Sequence, residues 1–160
     1  MFRIVPALSE AAISQTRNLF REYATTPGVV PCLEDFEREL ASLPGHYAPP
    51  GGRLLLAIEE SAEGPGEAIG CAALRKWEPD DCEMKRLYVR PEFRGKGAAR
   101  ELVEALIAEA RSAGYKRMLL DTLPSMGEAH RLYRTIGFRA IPAYQKNTIP
   151  GALFFELLLH

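Results

Sequence analysis

Apolar positions in this chain follow two rhythms, a helical spacing and short strand-like runs, and their order along the sequence predicts the fold. The strongest periodic stretch is AARELVEALIAEARSAG (98–114). There Ala99, Leu102, Val103, Leu106, Ile107 and Ala110 recur at i, i+3, i+4, i+7, i+8 and i+11, and Gly114 suits the left-handed position that ends a helix. A second helix is predicted over PSMGEAHRLYRTIGF, with Ala129, Leu132, Tyr133 and Ile136 on its inner face, His130 facing outward and Gly137 at its end. Near the N-terminus, Ser9 is a plausible N-cap for a helix to about Tyr23, striped by Ile13, Leu19 and Phe20. After the break ATTPGVVP, the run CLEDFERELASL places Leu33, Phe36, Leu40 and Leu43 on one face.

Strand-like runs occupy the rest: FRIVPA, RLLLAIEE, EAIGCAALRKW, CEMKRLYV, YKRMLLDT, FRAIPA and ALFFELLLH. SAEGPG reads as a hairpin connection, PGHYAPPGG as a loop by its Pro and Gly content, and YQKNTIPG as a loop between the last two strands. No internal repeat or linker interrupts the pattern. The expectation is one mixed α/β domain over residues 1–160, with a central β–loop–α–β unit between antiparallel hairpins.

Composition narrows the function classes. With 20 Lys+Arg against 21 Asp+Glu, the formal charge is −1, which argues against an electrostatic nucleic-acid partner. Hydrophobic residues make up 47% of the chain, enough for a real core. Cys32, Cys71 and Cys82 form no CxxC pair, and His46, His130 and His160 share no ligand spacing with them. A disulfide framework or a metal site is therefore not expected. Neither a leader-like N-terminus nor an apolar run of the ~18 residues needed for a membrane span is present, so a cytoplasmic protein without membrane contact is expected.

The candidate chemistry sits in RPEFRGKGAARELVEAL (90–106), where two glycines and two cations turn a strand into a helix. A Walker loop fails, because Arg90 stands where its first Gly belongs and Gly97 where its Ser/Thr must reach magnesium. A Rossmann loop matches Gly95 and Gly97 but meets Arg100 at the third small position. The pattern Arg94-x-x-Gly97-x-Ala99 resembles instead the pyrophosphate loop [QR]-x-x-G-x-[GA] of the GNAT-type N-acetyltransferases. Small residues there let backbone N–H groups converge on phosphate oxygens ahead of a helix N-terminus. The likeness runs from about residue 67 to 139 and includes AHRLYRTIGF, which resembles the family's A-x-x-L-Y-x-x-x-G-F helix.

That resemblance implies a GNAT acyl-CoA N-acyltransferase fold: a mixed, mostly antiparallel sheet flanked by helices. It also implies acetyl transfer from acetyl-CoA to a primary amine, directly in a ternary complex and without a metal. Arg94, Gly95, Lys96, Gly97, Ala98, Ala99 and Arg100 would hold the coenzyme A phosphates, and the backbone of Leu87, Tyr88 and Val89 would meet the acetyl carbonyl. Tyr133 matches the family's acid near the sulfur, while its bland reading is a core aromatic. Glu83, eleven residues before Arg94, matches a general-base position; otherwise it is an exposed strand-end charge beside Asp80 and Asp81. Glu78, Asp80, Asp81 and Glu83 together could attract a cationic amine. Met126 stands where the family often has the Asn that orients the pantetheine arm. The acceptor, a small-molecule amine or a protein or peptide amine, is expected among the 24–31 turn, the second helix and the 142–151 loop. A homodimer is a family-based expectation. The alternative is a non-catalytic acyl-CoA sensor of the same fold.

Overall fold

The computed structural model describes residues 2–29, 33–64, 66–145 and 150–160, with the side chains of Leu33 and Glu34 excepted. Cys32, the end of the 24–31 turn and residues 146–149 of the last loop lie outside the described residues. The chain runs β1 (Phe2–Pro6), α1 (Glu10–Ala24), α2 (Leu33–Ser42), β2 (Arg53–Glu59), β3 (Ala68–Glu78), β4 (Asp81–Val89), α3 (Ala98–Ser112), β5 (Arg117–Thr122), α4 (Gly127–Ile136), β6 (Arg139–Ile141) and β7 (Leu153–Leu158). Short 3₁₀ turns at Gly45–Tyr47 and Pro91–Phe93 punctuate two of the loops.

The seven strands form a sheet of order β1-β2-β3-β4-β5-β7-β6, antiparallel throughout except where β4 runs parallel to β5. Helices cover both faces, which is why β2 and β3 read as near-continuous apolar runs rather than alternating ones. The apolar stripe of α3 (Leu102, Val103, Leu106, Ile107 and Ala110) packs on Leu55, Ala57, Ile69, Ala72 and Leu74. Leu19 and Phe20 of α1 pack with Leu40 of α2 on Leu54, Leu56, Cys71 and Ala73 of the opposite face. Ser9 caps α1 as expected, its Oγ accepting from the Ala12 N–H at 3.1 Å.

Leu106 is fully buried in the α3 layer. Leu106→Ala should destabilise the fold by about 2–5 kcal/mol, since the cavity adds to the lost transfer energy. Urea unfolding read by circular dichroism checks this; a shift below ~0.5 kcal/mol would mean the helix is not seated as described.

The functional consequence of this topology lies between β4 and β5. Their parallel pairing covers Asp81↔Arg117, Cys82↔Met118 and Glu83↔Leu119 and then ends, while β5 stays paired with β7 as far as Thr122. At the same level β4 carries an extra residue against β3: the register passes from Cys71↔Tyr88 to Ala73↔Lys85. Arg86 within this bulge adopts φ +61°, the one non-glycine positive φ among the described residues. The two strands therefore part, and a wedge opens between them.

Candidate functional site

The loop predicted to matter stands at the mouth of this wedge. After the turn Pro91–Phe93, Gly95 (φ +79°) and Gly97 (φ +89°) both take left-handed conformations that L side chains adopt at a cost. A Cβ built on either glycine would meet no atom within 4 Å, so the concave side of the corner is open. Glu101 N–H donates to Gly97 C=O at 3.0 Å as the first helical bond of α3. The N–H groups of Ala98, Ala99 and Arg100 precede that bond and have no acceptor within the helix, and Gly97 supplies no side-chain cap. These three donors, without an acceptor among the described residues, stand with the helix N-terminus at an open corner, an arrangement that suits an anionic group.

The side chains divide differently from the sequence expectation. Arg94 donates from Nε to Val89 C=O at 2.8 Å and lies 5.7 Å over the Tyr88 ring, tying the loop to the end of β4. Lys96 lies exposed with its ammonium 5.5 Å from the Phe93 ring centroid. Ala98 is buried and anchors the helix start, and Ala99 packs beside it. Arg100 pairs with Glu104 at 3.3 Å on the exposed side of α3.

Within the wedge, Arg90 N–H donates to Ile69 C=O at 2.9 Å, so strand alternation turns the Val89 amide away from β3 and towards the gap that β5 has left. Tyr133 on α4 lies within electrostatic range of Asp121 and Tyr23. It is 5% exposed, packed between Phe138 and Phe155 with ring centroids at 5.6 and 6.0 Å. Its hydroxyl has no hydrogen-bond partner among the described residues, and no sealed side-chain oxygen among them lacks one, so the hydroxyl keeps some exposure. Burial pushes its pKa well above the ordinary phenol value, with the neighbouring Tyr23 and Asp121 adding to the shift, so it remains protonated.

Glu83 is fully buried at the last β4–β5 pair, which removes the exposed strand-end reading. Its Oε1 accepts from Arg75 Nε at 2.9 Å and pairs with Nη2 at 2.8 Å, while Oε2 accepts a short hydrogen bond from Tyr144. Tyr144 in turn sits edge-on to Trp77 and Phe154, both at 5.2 Å. The expected acidic cluster is not a free one either: Asp81 is bound by Arg117 at 2.7 Å and Asp80 by Lys116 at 3.6 Å.

Several neighbours of the wedge carry no signal in the sequence. Asp121, near the end of β5, accepts from Gln145 at 3.2 Å and stands 3.7 Å from the Lys85 ammonium. Arg86 is held by Glu39 of α2 through two 3.0 Å bonds, and Tyr47 donates to the same carboxylate at 3.3 Å. Tyr23 of α1 lies under the Arg86 guanidinium and edge-on to Tyr88. Their meeting depends on strand order and the bulge, which local periodicity does not report. His130 is buried rather than outward, its Nε2 2.9 Å from Leu123 C=O and its ring 6.0 Å from that of Phe155 in β7. At the position of the missing Asn, Met126 Sδ lies 3.8 Å from the Thr122 hydroxyl. Cys71 is a buried thiol whose pKa burial raises, and burial helped by the Asp81 charge pushes the Cys82 thiol up to about 12; neither is a poised nucleophile. The described residues contain no group of side chains able to hold a metal ion and no helix long and apolar enough to cross a membrane.

With this geometry in view, the comparisons with known proteins are consistent. The model of the acetyltransferase (GNAT) family matches residues 13–138. The chain is 39% identical over 140 residues to an uncharacterised N-acetyltransferase of Schizosaccharomyces pombe, covering 87% of this chain and 83% of that protein. It is 30% identical over 131 residues to the N-acetylaspartate synthetase of Homo sapiens, covering 76% of this chain but only 42% of that longer protein. Among solved structures, a GNAT-family acetyltransferase of Staphylococcus aureus Mu50 superposes with a TM-score of 0.81 at 16% identity, each chain wholly covered. The yncA protein of Salmonella typhimurium, solved with its cofactor acetyl-CoA, gives 0.73 at 19% identity, covering 100% of this chain and 95% of that one. At those identities the structures speak for the fold, which is the mixed sheet expected. The family match over most of the chain, together with the fission-yeast relative, shows that this chain belongs to the GNAT acetyltransferase family.

Proposed function

We propose that the chain transfers an acetyl group from acetyl-CoA to a primary amine, directly, with donor and acceptor bound together. The observation that carries this reading is the continuity between the open two-glycine corner and the β4–β5 wedge, an anion cradle that leads straight to an unpaired strand edge. The unpaired N–H groups of residues 98–100 and the glycine corner 95–97 hold the pyrophosphate, and Lys96 adds charge beside it. Arg94 acts chiefly by fixing this loop to Val89. The backbone of Leu87–Val89 lies along the acetyl group, and the Val89 amide is the donor best placed for a developing oxyanion.

Tyr133 keeps a protonated hydroxyl in a largely buried position, which suits a group that gives its proton to a departing thiolate. Glu83 is enclosed by Arg75 and Tyr144, so a base role for it requires Tyr144 to move aside. Neither Cys71 nor Cys82, the cysteines among the described residues, is activated, in keeping with transfer without an acyl-enzyme.

Tyr133→Phe tests the acid. Turnover should fall on the order of 10²-fold with acetyl-CoA affinity nearly unchanged, because only the proton donor is lost. Steady-state kinetics with calorimetric Kd separates the two, and an unchanged kcat would remove Tyr133 from the chemistry.

A further inference from the structure

Three cations of β3 and β4, Arg75, Lys85 and Arg86, stand beside the wedge, each opposite a carboxylate from another element. Two pairs are closed. Arg75 is hydrogen-bonded to Glu83, and Arg86 is held at two points by Glu39. The third pair differs. The Lys85 ammonium stands 3.7 Å from Asp121 Oδ1, an ion pair that no hydrogen bond closes, whereas Asp121 Oδ2 is fixed by Gln145. No described residue supplies Lys85 with a hydrogen-bond acceptor, and no sealed side-chain nitrogen among the described residues lacks a partner, so the Lys85 ammonium keeps some exposure and donors to spare. Asp121 lies at the parting of β4 and β5, and its charge acts on both the Tyr133 and Tyr23 hydroxyls.

This juxtaposition constrains the acceptor. An ammonium group entering beside Tyr133 finds Asp121 as its counter-charge. In taking that carboxylate it deprives the largely buried Lys85 of its own partner, leaving two cations side by side. An acceptor that brings a carboxylate next to its amine resolves both problems. Its carboxylate goes to Lys85, with the Tyr23 hydroxyl within the same group of residues, and its amine goes to Asp121. A polyamine or a protein lysine takes Asp121 and brings no carboxylate to replace it at Lys85, and a peptide N-terminus has an amide where the carboxylate should be.

We propose that the acceptor is a free α-amino acid, whose ammonium and carboxylate insert between Asp121 and Lys85. This inference rests on the acetyltransferase reading above.

The test pairs L-amino acids with their decarboxylated amines, using acetyl-CoA as donor and mass-spectrometric detection of N-acetyl products. At least one amino acid should be acetylated with a kcat/KM on the order of 100-fold above that of its decarboxylated amine, the discrimination expected of a charge-assisted contact. Lys85→Met should collapse that ratio to within about 5-fold, while Lys85→Arg, which keeps the charge, should retain most of it. Both variants should bind acetyl-CoA like the parent in calorimetry, which reports intact folding. Equal rates on amine and amino acid would overturn the inference, as would a Lys85→Met ratio that does not move. One-to-one acetyl-CoA binding with no amino acid turned over would overturn it and leave the acetyltransferase reading standing. Absence of acetyl-CoA binding would take both down.

Discussion

Gly97→Trp should weaken acetyl-CoA binding by about 100-fold or more while leaving the sheet intact. Gly97 sits at φ +89° with open space where a side chain would begin. An indole placed there fills the concavity onto which the N–H groups of Ala98, Ala99 and Arg100 open. Charge-assisted hydrogen bonds contribute about 1.5–3 kcal/mol each, and losing two already exceeds 100-fold. Gly97→Ala separates the causes. Its methyl group meets nothing, so it should cost only the left-handed backbone, roughly 1–2 kcal/mol of stability, with a much smaller loss of affinity. Calorimetric Kd values for both variants, with far-ultraviolet circular dichroism as a fold check, read this directly. Equal losses for alanine and tryptophan would point to backbone conformation rather than the filled cradle.

Glu39→Ala should lower both stability and turnover, and Arg86→Gly should restore much of each in the same chain. Arg86 occupies the left-handed region at the β4 bulge, a conformation that costs a non-glycine residue about 1–2 kcal/mol. Its side chain is fixed by the two bonds from Glu39 and by the Tyr23 ring, and its carbonyl accepts from the Cys71 thiol at 3.3 Å. Glu39 thereby holds, from α2, the bend that sends the Leu87–Val89 backbone along the wedge. Removing the carboxylate leaves a partly buried guanidinium unpaired. We expect a loss of roughly 1–3 kcal/mol in thermal unfolding and about 10-fold or more in kcat. Glycine adopts the same φ without strain and has no charge to orphan, so the double variant should lie well above the sum of the two single effects. Strict additivity would show that Glu39 and Arg86 act separately.

The order of elements was legible because periodicity survives folding: the α3 stripe, the Ser9 cap and the Gly114 and Gly137 helix ends all lie where spacing places them. The glycine corner was legible for the same reason, since a left-handed turn leaves its signature in residue type. What periodicity cannot report is which faces meet. Glu39 and Arg86 are 47 positions apart and are joined only because α2 crosses the sheet at the bulge. Lys85 and Asp121 come together because a parallel crossover brings β5 beside β4. Of the two readings of Glu83, a general base or a surface charge beside Asp80 and Asp81, burial removes the second, because Arg75 and Tyr144 reach it from β3 and from the loop before β7. Arg94 reads as a phosphate ligand, while its Nε is engaged by the carbonyl at the end of its own strand.

The most direct test of the account compares acetyl-CoA with S-acetylpantetheine, which keeps the thioester arm and lacks the pyrophosphate, by calorimetric titration into the purified protein. Acetyl-CoA should bind one-to-one with micromolar affinity, and the truncated donor should bind about 100-fold or more weaker, since the cradle contacts are then unmade. Equal affinities, or no binding of either at millimolar concentration, would contradict this: residues 94–99 would then be a basic turn, and the wedge would have lost its donor.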